Sequence, residues 1–182
     1  MNHKSWWVVF LLSAGVVVLV VSLYRAAVLG AMNKAGFVYS NTNYFDNNEV
    51  AREVANDSWW RCRHRLDFVD SIRYSFARGE LKEKLGFELG ENRIKCGMEM
   101  ILKKDASFGA YKILKGARYW EESMKRDESK PRLCHELPSE DYVVRLGRVV
   151  ELARGSAKVE IGKVKESLYT TYLFEQERCI AQ

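Results

Sequence analysis

The sequence lacks the motifs of the common enzyme classes. It contains no G-x-S-x-G, H-E-x-x-H, Walker or Rossmann pattern. The segment "GFELG" at residues 86–90 has two glycines but no following Lys-Ser/Thr pair, so it is not a phosphate-binding loop. Histidine, the commonest general base, occurs only three times. We therefore expect a protein that is not an enzyme and that holds no cofactor.

Charged side chains are absent from one long N-terminal stretch. Residues 5–24 contain no Asp, Glu, Lys, Arg or His. As a helix, 20 residues reach about 30 Å, the thickness of the hydrocarbon core of a bilayer. A signal peptide has a shorter apolar stretch of about 7 to 15 residues. We predict a retained membrane anchor over residues 6–24, inside an N-terminal region 1–32. Residues suited to the membrane boundary stand at its ends: Trp6, Trp7, Leu23 and Tyr24.

A strong positive charge is absent from the rest of the chain. Of 29 Lys and Arg residues, three precede residue 35, and none of the 24 acids does. The remainder therefore carries 26 basic against 24 acidic residues. Nucleic-acid-binding domains usually show a marked basic excess, so this balance argues against a nucleic acid as the partner. One local basic cluster remains, formed by Arg61, Arg63 and Arg65.

Cysteine is scarce, and no C-x-x-C pair occurs. The four cysteines are Cys62, Cys96, Cys134 and Cys179. An even number of widely spaced cysteines indicates disulfides in an oxidising compartment, with free buried thiols as the alternative. The positive charges that flank the anchor are nearly balanced and do not decide its orientation. We expect the domain outside the cytoplasm, and of the three possible pairings we prefer Cys62 with Cys134 and Cys96 with Cys179.

A metal site is the alternative use of these cysteines. Cys62, His64, Cys134 and His135 form a two-cysteine, two-histidine set of the kind that binds zinc. Their spacing fits no common zinc finger or ribbon, and the adjacent side chains of Cys134 and His135 point apart in most backbone conformations. The spacing thus disfavours a metal site at these residues.

Alternating strand patterns are also absent, and apolar residues recur every three or four positions instead. After a stalk at residues 33–48, this pattern predicts an all-α domain over residues 49–182. In its first helix, Cys62, Val69 and Phe76 share the apolar stripe. Glycines and the two prolines separate the helices, and "RGS" joins the last two as an antiparallel hairpin. The predicted helices are residues 49–78, 80–89, 92–104, 106–126, 140–154 and 157–178.

Two segments carry a resemblance to a known family. They are "SFGAYKILKGARYWE" and the hairpin "RLGRVVELARGSAKVEIGKVKESL". Together with the anchor they resemble an uncharacterised bacterial family of single-pass, membrane-anchored helical domains. Its members carry a small-residue, Leu/Phe-Tyr-x-Leu-Lys signature before the hairpin. Here the usual proline is missing, and one extra residue separates Tyr111 from Leu114. The resemblance covers residues 105–175 and implies a fold and a membrane location, but no catalytic residue.

Three function classes follow from these patterns. The first is a non-enzymatic, membrane-anchored helical module that binds another protein outside the cytoplasm. The second is a cytoplasm-facing regulatory or adaptor domain that binds anionic lipid or nucleic acid through the cluster from Arg61 to Arg65. The third is a metal-dependent enzyme that uses the cysteines and histidines. We expect the first, because the chain consists mainly of amphipathic helices.

Overall fold

The computed structural model describes residues 3–37, 43–125, 132–138 and 140–181. The chain divides into two compact units, Met1–Tyr39 and Ser40–Gln182.

The first unit is a long apolar helix, α1 (His3–Lys34). Its segment Val9–Lys34 is long and apolar enough to cross a membrane, with a mean hydropathy of 2.2. This confirms the predicted apolar helix, although a signal sequence would have the same character. The helix runs two residues into the predicted stalk 33–48, whose central residues 38–42 lie outside the described residues. Four side chains at the ends of the predicted anchor are exposed: Trp6, Trp7, Leu23 and Tyr24.

All secondary-structure elements in the described residues of the second unit are helices, apart from isolated bridges between single residues. The predicted all-α fold is confirmed. Two short 3₁₀ turns, Ser58–Trp60 and Cys134–Glu136, interrupt the sequence of helices. The helices are α2 (Asn47–Asn56), α3 (His64–Phe76), α4 (Gly79–Leu102), α5 (Ala106–Met124), α6 (Asp141–Leu152) and α7 (Gly155–Arg178).

The predicted single helix 49–78 is wrong, because the chain breaks between α2 and α3. The Asp57 carboxylate accepts a hydrogen bond from the backbone N–H of Trp59 at 2.8 Å. Such a local side-chain bond competes with continued helix formation and starts a turn. The turn inserts Trp60 into the core, where its side chain is 1% exposed. The apolar period of the sequence continues across this break, so periodicity alone does not reveal it.

The predicted division at Gly90 is also wrong, since α4 runs through it without interruption. Helices α4 and α5 form an antiparallel hairpin in which glycines let the two backbones approach closely. A side-chain carbon at Gly90 would lie 2.7 Å from the carbonyl oxygen of Gly116. At Gly97 it would lie 2.6 Å from the carbonyl oxygen of Gly109. These glycines therefore serve helix packing rather than chain termination.

The second hairpin, α6 and α7, lies close to its predicted position. The connection ends at Gly155, which has the left-handed φ of 56° that favours glycine. Apolar side chains from both helices are fully buried, among them Leu146, Val149, Ile161 and Leu168. Before α6, residues 126–131 and residue 139 lie outside the described residues. The predicted bounds 140–154 and 157–178 agree with α6 and α7 to within two residues.

Candidate functional site

The four cysteines form two disulfides, Cys62–Cys96 and Cys134–Cys179. The prediction that the cysteines pair is confirmed. The preferred pairing of Cys62 with Cys134 and of Cys96 with Cys179 is wrong. The sequence-based pairing assumed that Cys62 belongs to a continuous helix. In the structure Cys62 lies in the extended loop before α3, and this loop reaches Cys96 on α4.

Short backbone pairing holds the second disulfide in place. The N–H of Cys134 donates to the carbonyl oxygen of Ile180 at 3.3 Å. The N–H of Ile180 in turn donates to the carbonyl oxygen of Arg132 at 3.0 Å. These bonds align the segment after α7 with the turn before α6, so Cys179 is placed beside Cys134.

A buried amide fixes the loop that carries Cys62. The side-chain oxygen of Asn92 accepts from the backbone N–H of Arg63 at 2.9 Å, and its side-chain nitrogen donates to the carbonyl oxygen of Arg63 at 3.1 Å. Asn92 is buried and lies one helical turn before Cys96 on α4. Both polar ends of the amide are therefore satisfied by the same loop residue, which holds Cys62 near Cys96.

A histidine and a carboxylate adjoin this first disulfide. His64 Nδ1 lies 3.3 Å from Cys62 Sγ, and His64 Nε2 lies 3.0 Å from the carboxylate of Glu99. The pKa of Glu99 is lowered, mainly by the hydrogen bond from Lys103. Burial opposes this shift, and the hydrogen bond and charge of His64 lower the pKa further. The row Cys62, His64, Glu99 thus places an oriented imidazole beside a sulfur atom.

The four residues considered as an alternative metal set in the sequence, Cys62, His64, Cys134 and His135, are not brought together as one group. Within the part of the chain that the structure describes, the single group with metal-like spacing is Cys62, His64 and Cys96, whose ligand atoms lie within 4.8 Å of one another. Cys134 and His135 do not belong to it, because the fold places Cys134 in the other disulfide. The two sulfurs of the group are bonded to each other, whereas metal ligation requires thiolates.

The apolar side of α3 faces solvent, whereas the sequence predicts that it faces the core. The apolar stripe that contains Val69 and Phe76 was expected to face the core. Instead, Phe68 is 73% exposed and Phe76 is 83% exposed. Val69 and Ile72, between them, are also exposed. The signal for this face is present in the sequence as the four-residue spacing of Phe68, Ile72 and Phe76, but spacing does not tell which side of a helix is buried.

Polar groups of α3 face the hairpin of α4 and α5 instead. The Asp67 carboxylate accepts from Arg93 at 3.2 Å and from Lys112 at 2.8 Å. Burial raises the pKa of Asp67, but the bond and charge of Lys112, with those of Arg93, outweigh this effect and lower it. Ser71 accepts a further bond from Arg93 at 2.8 Å. Because these charged partners lie on α4 and α5, they turn the polar side of α3 inward.

Two of the three arginines of the basic cluster have described side chains. Arg61 and Arg63 are exposed, whereas the side chain of Arg65 lies outside the described part. The neighbouring Asp57 forms an ion pair with Arg145 of α6.

Comparison with known proteins does not assign the chain to a family. The resemblance of residues 105–175 to a bacterial family stays a prediction. Neither a protein-family model, nor a curated protein, nor a solved structure matches the chain.

Proposed function

We propose that this protein is a single-pass module whose disulfide-bonded helical unit lies outside the cytoplasm and binds another protein through the exposed face of α3. The observation that carries the proposal is the orientation of this helix. Its Asp67 pairs with Arg93 of α4 and Lys112 of α5, and its large apolar side chains are left exposed. Contiguous exposed apolar side chains commonly mark sites of interaction.

The location is supported by the apolar helix α1 and by the two disulfides. Segment Val9–Lys34 has the length and composition of a membrane span. Disulfides form and persist in oxidising environments and are rare in the cytosol. The combination favours a retained anchor and a helical unit on the oxidising side of the membrane.

The pattern on α3 matches a helix that enters a groove. Val69, Ile72 and Phe76 stand at positions i, i+3 and i+7, the spacing of anchor residues in groove-bound helices. Phe68 and Phe76 add the aromatic rings that often dominate binding energy. We therefore expect the partner to present an apolar groove.

The charge of α3 favours a protein groove over the bilayer surface. Its two arginines are balanced by two aspartates, and helices that lie on membranes are rich in Lys and Arg on their polar face. The aspartates also face the interior of the unit, where Asp67 is paired and Asp70 is 7% exposed. The exposed Arg73 of this helix is paired with Asp70 at 3.3 Å, which partly neutralises its charge toward anionic lipid.

The binding face can be tested with a photo-crosslinking amino acid at position 76 of the full-length protein in cells. The matched position is Val144 of α6, which is also exposed and apolar. We expect a protein adduct of discrete mass from position 76 and none from position 144. The identified protein, once purified, should bind the F68A/F76A variant at least about tenfold more weakly than the wild type.

A control variant and two outcomes can contradict the proposed site on α3. A V144A/V159A variant, altered at two exposed valines of α6 and α7, should bind the partner as the wild type does. Equal loss in both variants, or crosslinking from position 76 to lipid alone, would exclude a protein site on α3.

The location has its own test. A membrane-impermeant protease added to intact cells should degrade the helical unit and leave the N-terminal tail protected. Full protection of the unit would place it in the cytoplasm. That result would favour the alternative in which exposed Arg61 and Arg63 meet anionic lipid, since basic residues near a membrane surface contribute about 1 kcal/mol each.

A further inference from the structure

The two disulfides have different surroundings. Cys62, Cys134 and Cys179 are all half-buried, and Cys96 is buried. An imidazole lies beside Cys62, held on its far side by Glu99. Cys179 Sγ lies 3.1 Å from the backbone carbonyl oxygen of Gln176, and among the described residues no histidine ring is hydrogen-bonded to the sulfur of Cys134 or Cys179. The accessibility of the half-buried sulfurs is thus similar, but their electrostatic environment is not.

The row Cys62, His64, Glu99 has the form of an activated thiol. The Glu99 carboxylate accepts a hydrogen bond from Nε2 of His64, so Nδ1 faces the sulfur and can take the proton of a reduced Cys62, which leaves a thiolate beside the ring. The thiolate is the species that attacks disulfides. Of the two sulfurs, that of the half-buried Cys62 is the more accessible, whereas Cys96 is buried in α4.

The loop is tied to α4 by contacts other than the disulfide. Both hydrogen bonds between Asn92 and Arg63 remain possible when the sulfurs separate. The ion pair between His64 and Glu99 forms a second tie to α4. The reduced thiols should therefore stay close enough to close the bond again.

We propose that Cys62–Cys96 is a reactive disulfide that exchanges with thiols and disulfides of other molecules, while Cys134–Cys179 is structural. Cys62 is the attacking sulfur, His64 stabilises its thiolate, and Cys96 resolves the intermediate. This activity goes beyond the proposed binding role and does not require it. The expectation of no enzyme is based on the absence of common catalytic motifs, and disulfide exchange requires none of those motifs.

The exchange balances without a metal or an organic cofactor. The reduced Cys62 thiolate attacks one sulfur of a substrate disulfide, a mixed disulfide forms, and the other substrate sulfur leaves as a thiolate. Cys96 then loses its proton to solvent and attacks Cys62 Sγ, which restores the internal disulfide and releases the second substrate thiolate. The substrate gains two electrons, and the pair Cys62 and Cys96 loses two. The reverse sequence oxidises a substrate dithiol, and the relative reduction potentials set the direction.

The test compares two single-cysteine variants of the full-length protein in detergent. Cys96→Ser leaves Cys62 as the free thiol with the second disulfide intact, and Cys179→Ser leaves Cys134 as the free thiol with the first disulfide intact. With oxidised glutathione as the probe at neutral pH, Cys62 should form a mixed disulfide about tenfold faster than Cys134. Mass spectrometry of the intact protein measures both rates.

The role of His64 is tested in the Cys96→Ser background. His64→Gln should slow the mixed disulfide at Cys62 about tenfold and decrease the ultraviolet absorbance of the thiolate. Glu99→Gln should decrease the same absorbance, because this positioning residue acts through His64. Unchanged rates and absorbance in both variants would show that the row is structural only.

The wild type provides a measurement that does not depend on these substitutions. In a glutathione buffer of increasing reducing strength, Cys62–Cys96 should open before Cys134–Cys179, as followed by alkylation and peptide mapping. Equal rates for Cys62 and Cys134, or earlier opening of Cys134–Cys179, would overturn the proposal.

Discussion

The two helical hairpins of the second unit have similarly short connections but pack in different ways. In the α4–α5 hairpin, Gly97 directly faces the backbone of Gly109. In the α6–α7 hairpin, Gly162 faces only the side chain of Val150, and a carbon added there would lie at an ordinary contact distance of 3.9 Å. Both hairpins contain glycines at interior helix positions. The difference shows that the atoms opposite a glycine decide whether it is needed.

The largest expected effect comes from filling the close contact. Gly97→Ala would place a methyl group 2.6 Å from the carbonyl oxygen of Gly109, and neither backbone can move away without separating the helices. We expect the free energy of unfolding to fall by about 2 to 3 kcal/mol. Urea unfolding of the full-length protein in detergent, followed by circular dichroism, measures it.

Gly162→Ala is the matched control for this comparison. Its methyl group has room, and alanine favours a helix over glycine by up to about 1 kcal/mol. The control should therefore be as stable as the wild type or more stable. A loss of stability as large as that of Gly97→Ala would show that both hairpins pack through their backbones.

A smaller effect is expected at the ion pairs that join α3 to the α4–α5 hairpin. Asp67 of α3 contacts Arg93 of α4 and Lys112 of α5, and all three side chains are at most 20% exposed. Asp67→Asn leaves two largely buried cations without a carboxylate, so we expect a loss of about 2 kcal/mol.

The pH dependence of stability follows from the same residue. Because the pKa of Asp67 is lowered in the folded protein, its contribution is present above the unfolded pKa of about 4 and is lost as the pH falls through the folded value. The difference in stability between the wild type and Asp67→Asn should therefore shrink in acid. A constant difference at every pH would contradict the ion-pair role.

The smallest effect is expected where α2 meets α6. Glu53 accepts from Arg148 at 3.2 Å, but the Arg148 side chain is 35% exposed. Solvent screens such a pair, so Glu53→Gln should cost less than about 1 kcal/mol and less still at high salt. Thermal unfolding at two salt concentrations checks this. A loss equal to that of Asp67→Asn would mean that the ion pair of Glu53 with Arg148 stabilises the fold as much as the ion pairs of Asp67 do.

Sequence periodicity predicts the helical class, the apolar N-terminal helix and the last hairpin. It succeeds there because α6 has a clearly one-sided apolar face, and Gly155 marks the turn. It fails at Gly90, where a residue that usually disfavours a helix is retained for close packing. It fails at Asp57 because a single local hydrogen bond interrupts an unbroken apolar pattern. The first failure depends on atoms of another helix, and the second depends on the conformation of one side chain.

The candidate site could be predicted only in part. The proximity of Cys62 and His64 is visible in the sequence, since they are two residues apart. Their meeting with Cys96 and Glu99 is not, because it depends on the break before α3 and on the uninterrupted α4. The exposure of Phe76 likewise depends on Arg93 and its neighbours, which attract the opposite side of α3.

The two disulfides follow one another along the chain without overlap: the first spans 34 positions and closes before Cys134, and the second spans 45. Since a protein is made from its N-terminus, both sulfurs of the first bridge exist before the third cysteine is synthesised. Each second cysteine then finds its native partner as the one unpaired thiol behind it. An oxidant that acts during synthesis therefore yields the native connectivity directly. A crossed pairing would require Cys62 to remain reduced after Cys96 has become available to pair with it.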